Sequence, residues 1–246
     1  MEIWEVVIVA SAAGIGAVIT GIAGLGGGIL LLAVLLQFLE PTVAVPVHAV
    51  IQLASNGSRT VLLRSHVRWP VVARFAVLLL PAGFLGLWAV SAIPGGIGRA
   101  TIGIFALIAV WRPALLARWS AVLGNDDRAY VSLGAISGFL NIPLGATGPM
   151  IAPFFRDRLP DRTTMVGTFA ATQVAGHLAK TVVFGADGFA FGTYAPVMAA
   201  SIVSVTIGSW VGTRLLGKVS EQLFQRFFRI TITVVALRLV VQAFFS

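Results

Sequence analysis

The chain has 246 residues, 58% of them hydrophobic and 11% charged, with a mean hydropathy of +0.96. A soluble domain carries about 25% charged residues, so an ordinary water-soluble enzyme is excluded and the chain's solvent is read as lipid. The 17 Lys+Arg against 9 Asp+Glu give +8, read as a record of cytoplasmic loops rather than nucleic-acid binding; the lack of cysteine removes disulfides and thiolate metal sites.

In chain order, Met1-Glu2-Ile3-Trp4-Glu5 has no basic run, so the first apolar stretch is not read as a cleaved signal peptide. A spanning helix needs roughly 20 apolar residues. Apolar stretches fall at 4–39, 42–63, 70–92, 97–119, 129–155, 163–185, 192–216 and 223–245, joined by short polar links. The first and fifth are interrupted midway, by Gly21-Ile22-Ala23-Gly24-Leu25-Gly26-Gly27-Gly28 and by Asn141-Ile142-Pro143-Leu144-Gly145-Ala146-Thr147-Gly148-Pro149. Helix interiors tolerate such runs badly. Within a bilayer, broken backbone survives only where protein or a wet cavity surrounds it.

The two breaks are related by an offset of 121 residues, which pairs Gly24 with Gly145, Gly27 with Gly148, Gln52 with Gln173, Arg59 with Lys180 and Thr60 with Thr181. Trp88 and Trp210 follow at nearly the same spacing. The pattern predicts two repeats, 1–122 and 123–246. Charge sets their orientation. Arg64 and Arg68, Arg112, Arg118 and Arg128, then Arg156, Arg158 and Arg162, and Arg214, Lys218 and Arg226 all reach one face only if the interrupted stretches enter, break and return. Each repeat is then a re-entrant hairpin (4–39 or 129–155) plus three spans, an odd number, so the repeats are inverted. The expected fold is an all-α polytopic membrane protein with both termini outside. Arg99, Arg229 and Arg238 fit this topology less well.

Inverted repeats with broken helices place a site near the midplane, where the repeats meet. A helix starting after a glycine break offers free N–H groups and a positive dipole end, which favour anions. Every Asp and Glu lies at a segment end or in a loop, whereas a carrier of cations wants a carboxylate at depth. The expected ligands are Gln52, Asn56, Gln173 and His177, with Gly26, Gly27, Gly28, Thr147 and Gly148 at the breaks. Arg59, Lys180, His48 and Ser55 are expected to attract anions or to gate. Counted along the helices, the glutamines fall near mid-bilayer, Arg59 toward the inner face and Lys180 toward the outer. Each feature also has a plainer reading. The glycines suit close helix packing, a membrane Gln or Asn often bonds between helices, and Arg59 and Lys180 can snorkel to headgroups.

At these residues the sequence resembles the sulfite exporter TauE/SafE family, also called the 4-toluene sulfonate uptake permeases. The likeness is carried by Gly24-Leu25-Gly26-Gly27-Gly28-Ile29-Leu30, the polar helix through Gln52 and Asn56, and the degenerate second copy at Gly145–Pro149. It implies a bacterial or archaeal inner-membrane transporter of sulfite or an organosulfonate such as sulfoacetate; the residues themselves reach only a small anion. The second copy departs from an all-glycine break, so the half-sites cannot be equivalent. The expected activity is export by alternating access, with no cofactor and no nucleic acid. Proton coupling would fall to His48, His177 or the anion itself. The alternatives are an anion channel with a glycine-rich constriction, and an intramembrane enzyme using Ser55 and His177, which lacks a third group and a G-x-S-x-G motif.

Overall fold

The computed structural model describes residues 1–24, 26–90, 95–121, 123–124 and 127–216, with 230, 232–234, 236–238 and 241 from the last apolar stretch, and omits the side chains of 95–96, 99, 117 and 119–121. Leu25, the Arg99 and Trp119 side chains, Asp126, Lys218, Arg226, Arg229 and most of 223–245 lie outside the described residues. Among those described, the regular structure is helical throughout.

The first apolar stretch forms α1 (Ile3–Ala23) and α2 (Gly27–Leu35). Between them Gly24 and Gly26 hold φ of +85° and +109°, a region that side chains with a Cβ avoid. Helix α3 (Pro41–Leu62) opens on a proline whose missing N–H is no loss there. The next stretches are α4 (Trp69–Ala76) with α5 (Leu79–Val90), and α6 (Gly95–Trp111) with α7 (Pro113–Ala121), the latter pair parted before Pro113. The fifth stretch is again broken, into α8 (Arg128–Asn141) and α9 (Gly148–Arg158). Pro143 lies between them, and Gly145 has φ +69°. Helix α10 (Arg162–Ala186) is capped by Asp161, which accepts the Thr164 N–H at 2.9 Å. Helix α11 (Ala195–Arg214) follows a short 3-10 turn.

Long polar helices α3 and α10 pack against each other at the centre. Around them α1 lies along α11, while α8 lies along α4 and α5. Glycine makes both outer seams. A Cβ on Gly21 would overlap the Gly212 backbone at 2.5–2.6 Å, and one on Gly138 would meet the Leu79 carbonyl at 2.5 Å. Lipid gives no hydrophobic drive to join helices, so close backbone approach through small residues supplies the packing contact instead.

The polarity of the assembly is inverted relative to a soluble protein. Trp88 is 77% exposed, Leu85 60% and Ile207 59%, while Arg59 and Lys180 are 1% and 2% exposed. Large exposed apolar surfaces of this kind mark a membrane contact. Ile3–Ala23, Trp69–Val90 and Phe191–Arg214 are long and apolar enough to cross a bilayer. Helices α3 and α10, with 22 and 25 residues, are long enough too. Their polar stripes face inward, where Gln52, Asn56, Gln173 and His177 are all buried.

Candidate functional site

Helices α3 and α10 meet over the starts of α2 and α9, and a cavity of about 40 Å³ lies between them. Its wall combines Gly26, Gly28, His48, Gln52, Asn56, Gly148, Gln173 and His177. Residues four apart on a helix share a face. On that basis His48, Gln52 and Asn56 descend one side of α3, and Gln173 and His177 one side of α10.

The two glutamines stand beside the glycines of the helix starts. A Cβ on Gly28 would lie 3.5 Å from Gln52 Nε2, and one on Gly148 would lie 4.0 Å from Gln173 Oε1. The glycines leave the space between these amides and the helix starts unfilled, where a methyl would sit in ordinary contact with its neighbours. On α3 a chain of hydrogen bonds sets the amide. Arg59 Nη1 donates to Asn56 Oδ1 at 3.0 Å, and Asn56 Nδ2 donates to Gln52 Oε1 at 3.2 Å and to the Gln52 carbonyl at 2.9 Å. With its oxygen engaged, Gln52 keeps its NH₂ as a donor. On α10 the residue matching Asn56 at the repeat offset is His177. The two imidazoles stand edge to face at 5.5 Å. His48 Nε2 donates to the Gly28 carbonyl at 2.9 Å, and Nδ1 of both rings is buried without a partner.

Five further residues expected at the site lie off the cavity wall. Gly27 faces α1, where its N–H donates to Thr20 Oγ1 at 2.9 Å. Thr147 bonds through its hydroxyl to Ser137 Oγ at 2.9 Å. Ser55 pairs with Ser209 of α11 at 3.4 Å. Arg59 is buried behind Asn56, with Nη2 directed at Ser55 Oγ at 3.5 Å. Lys180 is equally buried, and its Nζ donates to the Gly145 carbonyl at 2.6 Å and to Asn141 Oδ1 at 3.4 Å. Arg59 and Lys180 thus both lie inside the protein. The buried polar set contains no Asp or Glu among the described residues.

Sequence reasoning names Ile29, Ala146 and Pro149 at the breaks without assigning them to the site and does not name Thr20 or Phe169, which together complete the wall; Asn141, which holds Lys180, is likewise read only as part of the break. Thr20 and Asn141 are 121 residues apart, each within the last turn before its break, so the repeat offset could have flagged them together.

The two breaks also exchange contacts across the centre. A Cβ on Gly24 would lie 2.9 Å from Val166 Cγ2, and one on Gly145 would lie 3.1 Å from Val45 Cγ2. Both the glycines and the valines are 121 residues apart. A family model described as Sulfite exporter TauE/SafE matches residues 8–239, which takes in both breaks and both polar helices. The chain belongs to the TauE/SafE family. Neither the curated proteins nor the solved structures provide a match. As a TauE/SafE protein with apolar helices of spanning length, it is an integral membrane protein of a sulfite-exporter family.

Proposed function

We propose that the chain is a secondary carrier of a small sulfur-containing oxoanion, sulfite or an organosulfonate, and that it exports this anion by alternating access. The carrying observation is the two buried cations, Arg59 and Lys180, beside a cavity of amide and imidazole groups whose surroundings hold no buried carboxylate among the described residues. Buried charge without a counter-ion is costly, and a transported anion supplies that counter-ion. Gln52, Gln173 and His177 donate to the oxyanion, and the starts of α2 and α9 add backbone N–H groups and positive dipole ends. Asn56 positions Gln52, and Arg59 acts through Asn56.

The exchanged contacts Gly24–Val166 and Gly145–Val45 support two inverted repeats whose hairpins enter and return without crossing. In this reading each hairpin break and the facing valine form one gate, and rocking one repeat against the other opens the gates in turn. A cavity of about 40 Å³, with a glycine–valine approach on each side, favours a carrier over an open pore. Export needs no nucleotide, because one negative charge leaving a negative interior gains about 2.3 kcal/mol per 100 mV.

The test is sulfite flux in proteoliposomes at matched protein content. Gln52→Ala and Gln173→Ala are expected to raise the half-saturating concentration about tenfold each, the loss of one hydrogen bond to a charged group. Wild-type half-saturation in both variants would remove the glutamines from the site.

A further inference from the structure

Two larger cavities flank the central one along the polar helices. Pro41, Thr42 and Val45 of α3 line a cavity of about 450 Å³, one turn before His48. Arg162, Met165 and Val166 of α10 line another of about 320 Å³, one turn before Phe169 of the central cavity. The positions correspond at the repeat offset, 41 with 162 and 45 with 166, yet the chemistry differs. The α3 cavity is walled by side chains such as Leu87, Val90, Ile142 and Phe184, with Asp187 its one charged lining residue among those described. The α10 cavity brings together Arg156 and Arg162, with Asp161 beside them.

The Asp161 carboxylate is already engaged. It accepts the Thr164 N–H at 2.9 Å and the Thr164 hydroxyl at 2.7 Å as the cap of α10, and these bonds hold it below the usual carboxylate range. Arg158 faces elsewhere, with its guanidinium 3.6 Å from the Phe154 ring centroid and Nη2 donating to the Gly124 carbonyl at 2.6 Å. Arg162 instead reaches across to the first hairpin, where Nη2 donates to the Ile22 carbonyl at 2.6 Å, two residues before Gly24. A guanidinium has five N–H donors, so one bond to Ile22 leaves capacity for a bidentate oxoanion. Beyond it, Val166 and Met165 press on Gly24, and then Phe169 opens the central cavity. Seven residues of α10 separate Arg162 from Phe169, about 10 Å along the axis.

We propose that the Arg156–Arg162 cavity is a second oxoanion site, which captures the transported anion from the aqueous face ahead of the first break, and that its apolar counterpart on α3 makes this loading one-sided. The site rests on the carrier reading above. An anion held there shares Arg162 with the Ile22 carbonyl, so the ligand stands at the gate beside the end of α1. The shared chemistry, an oxoanion against guanidinium, also describes a phospholipid headgroup, and the experiment separates the two sources.

Arg156→Gln, Arg162→Gln and the double variant are reconstituted in a single orientation, checked by protease protection, in vesicles of phosphatidylcholine alone and of phosphatidylcholine with phosphatidylglycerol. Sulfite flux is measured from each side over a range of concentration and salt. The expected result is a half-saturating concentration raised about threefold to tenfold from the arginine side only, in both lipids, with a shallower salt dependence than wild type. Unchanged half-saturation in the double variant beside normal wild-type flux would overturn the second site and leave the carrier standing. An effect confined to the vesicles with phosphatidylglycerol would assign the arginines to headgroups and also overturn it. No saturable oxoanion flux in the wild type would remove the carrier reading itself.

Discussion

At the first break Gly24 and Gly26 both turn the chain through positive φ, and Thr20 ties it down by accepting from Gly27 and donating to the Gly16 carbonyl at 2.9 Å. At the second break Gly145 alone has positive φ among the described residues, Pro149 occupies the first turn of α9, and the ties are the Thr147–Ser137 hydroxyl pair within the hairpin and the Lys180 ammonium on the Gly145 carbonyl. The first hairpin is therefore tied at its break by Thr20 from within, receives the Arg162 guanidinium only short of the break at Ile22, and keeps an all-glycine helix start. The second gives up the N–H at Pro149 and adds to its internal hydroxyl pair a cation from another helix at the break itself. The two broken helices thus differ in what they present, the first offering donors and the second bringing charge close to the cavity.

The sharpest way to break this comparison is to place a methyl at the matched helix starts. A Cβ on Gly27 would overlap the Gly16 carbonyl, whereas one on Gly148 would meet Phe169 Cζ at an ordinary 3.7 Å. Gly27→Ala is expected to abolish monodisperse protein in detergent or to lower its melting temperature by many degrees, because backbone cannot yield cheaply. Gly148→Ala should fold normally and lose flux by narrowing the cavity. Size-exclusion profiles and thermal melts of the two variants check this, and equal behaviour would remove the asymmetry.

A smaller effect separates the two cations. Lys180→Met removes charge and leaves the Gly145 carbonyl without its donor, so flux should fall about tenfold to a hundredfold. Arg59→Met removes a cation set further back, behind Asn56 and Gln52, and its half-saturating concentration should rise about threefold to tenfold. Concentration-dependent flux of both variants checks the order, and a larger loss for Arg59→Met would reverse the roles. Smallest is Thr20→Val, which removes the acceptor of the Gly27 N–H and should cost about 1 kcal/mol of stability. Urea or thermal unfolding in detergent measures it, and no change would mean that the glycine-rich hairpin needs no internal tie.

Much of this was legible in the chain because lipid reverses the ordinary signals. In a sequence that is 11% charged, a Gln, Asn or His within an apolar run stands out, and helical spacing puts Gln52 with Asn56, and Gln173 with His177, on common faces. Glycine runs announce broken helices for the same reason. The rest could not be read. Ile29, Ala146 and Phe169 look like any lipid-facing residue until the tertiary fold turns them to the cavity. Counting residues orders Arg59 and Lys180 along their helices but says nothing of their burial, since position is local to one helix and burial depends on its neighbours. The bond from Arg162 to Ile22 joins residues 140 apart, a distance over which periodicity carries no information.

The central claim, a carrier that binds one small oxoanion at a time between two hairpins, is tested most directly by counterflow. Proteoliposomes loaded with unlabelled sulfite are diluted into trace ³⁵S-sulfite at zero membrane potential. The account predicts transient, saturable accumulation of label above equilibrium, abolished in vesicles loaded with chloride alone. Label that only equilibrates, at a rate proportional to concentration and indifferent to internal sulfite, would contradict it and point to a pore.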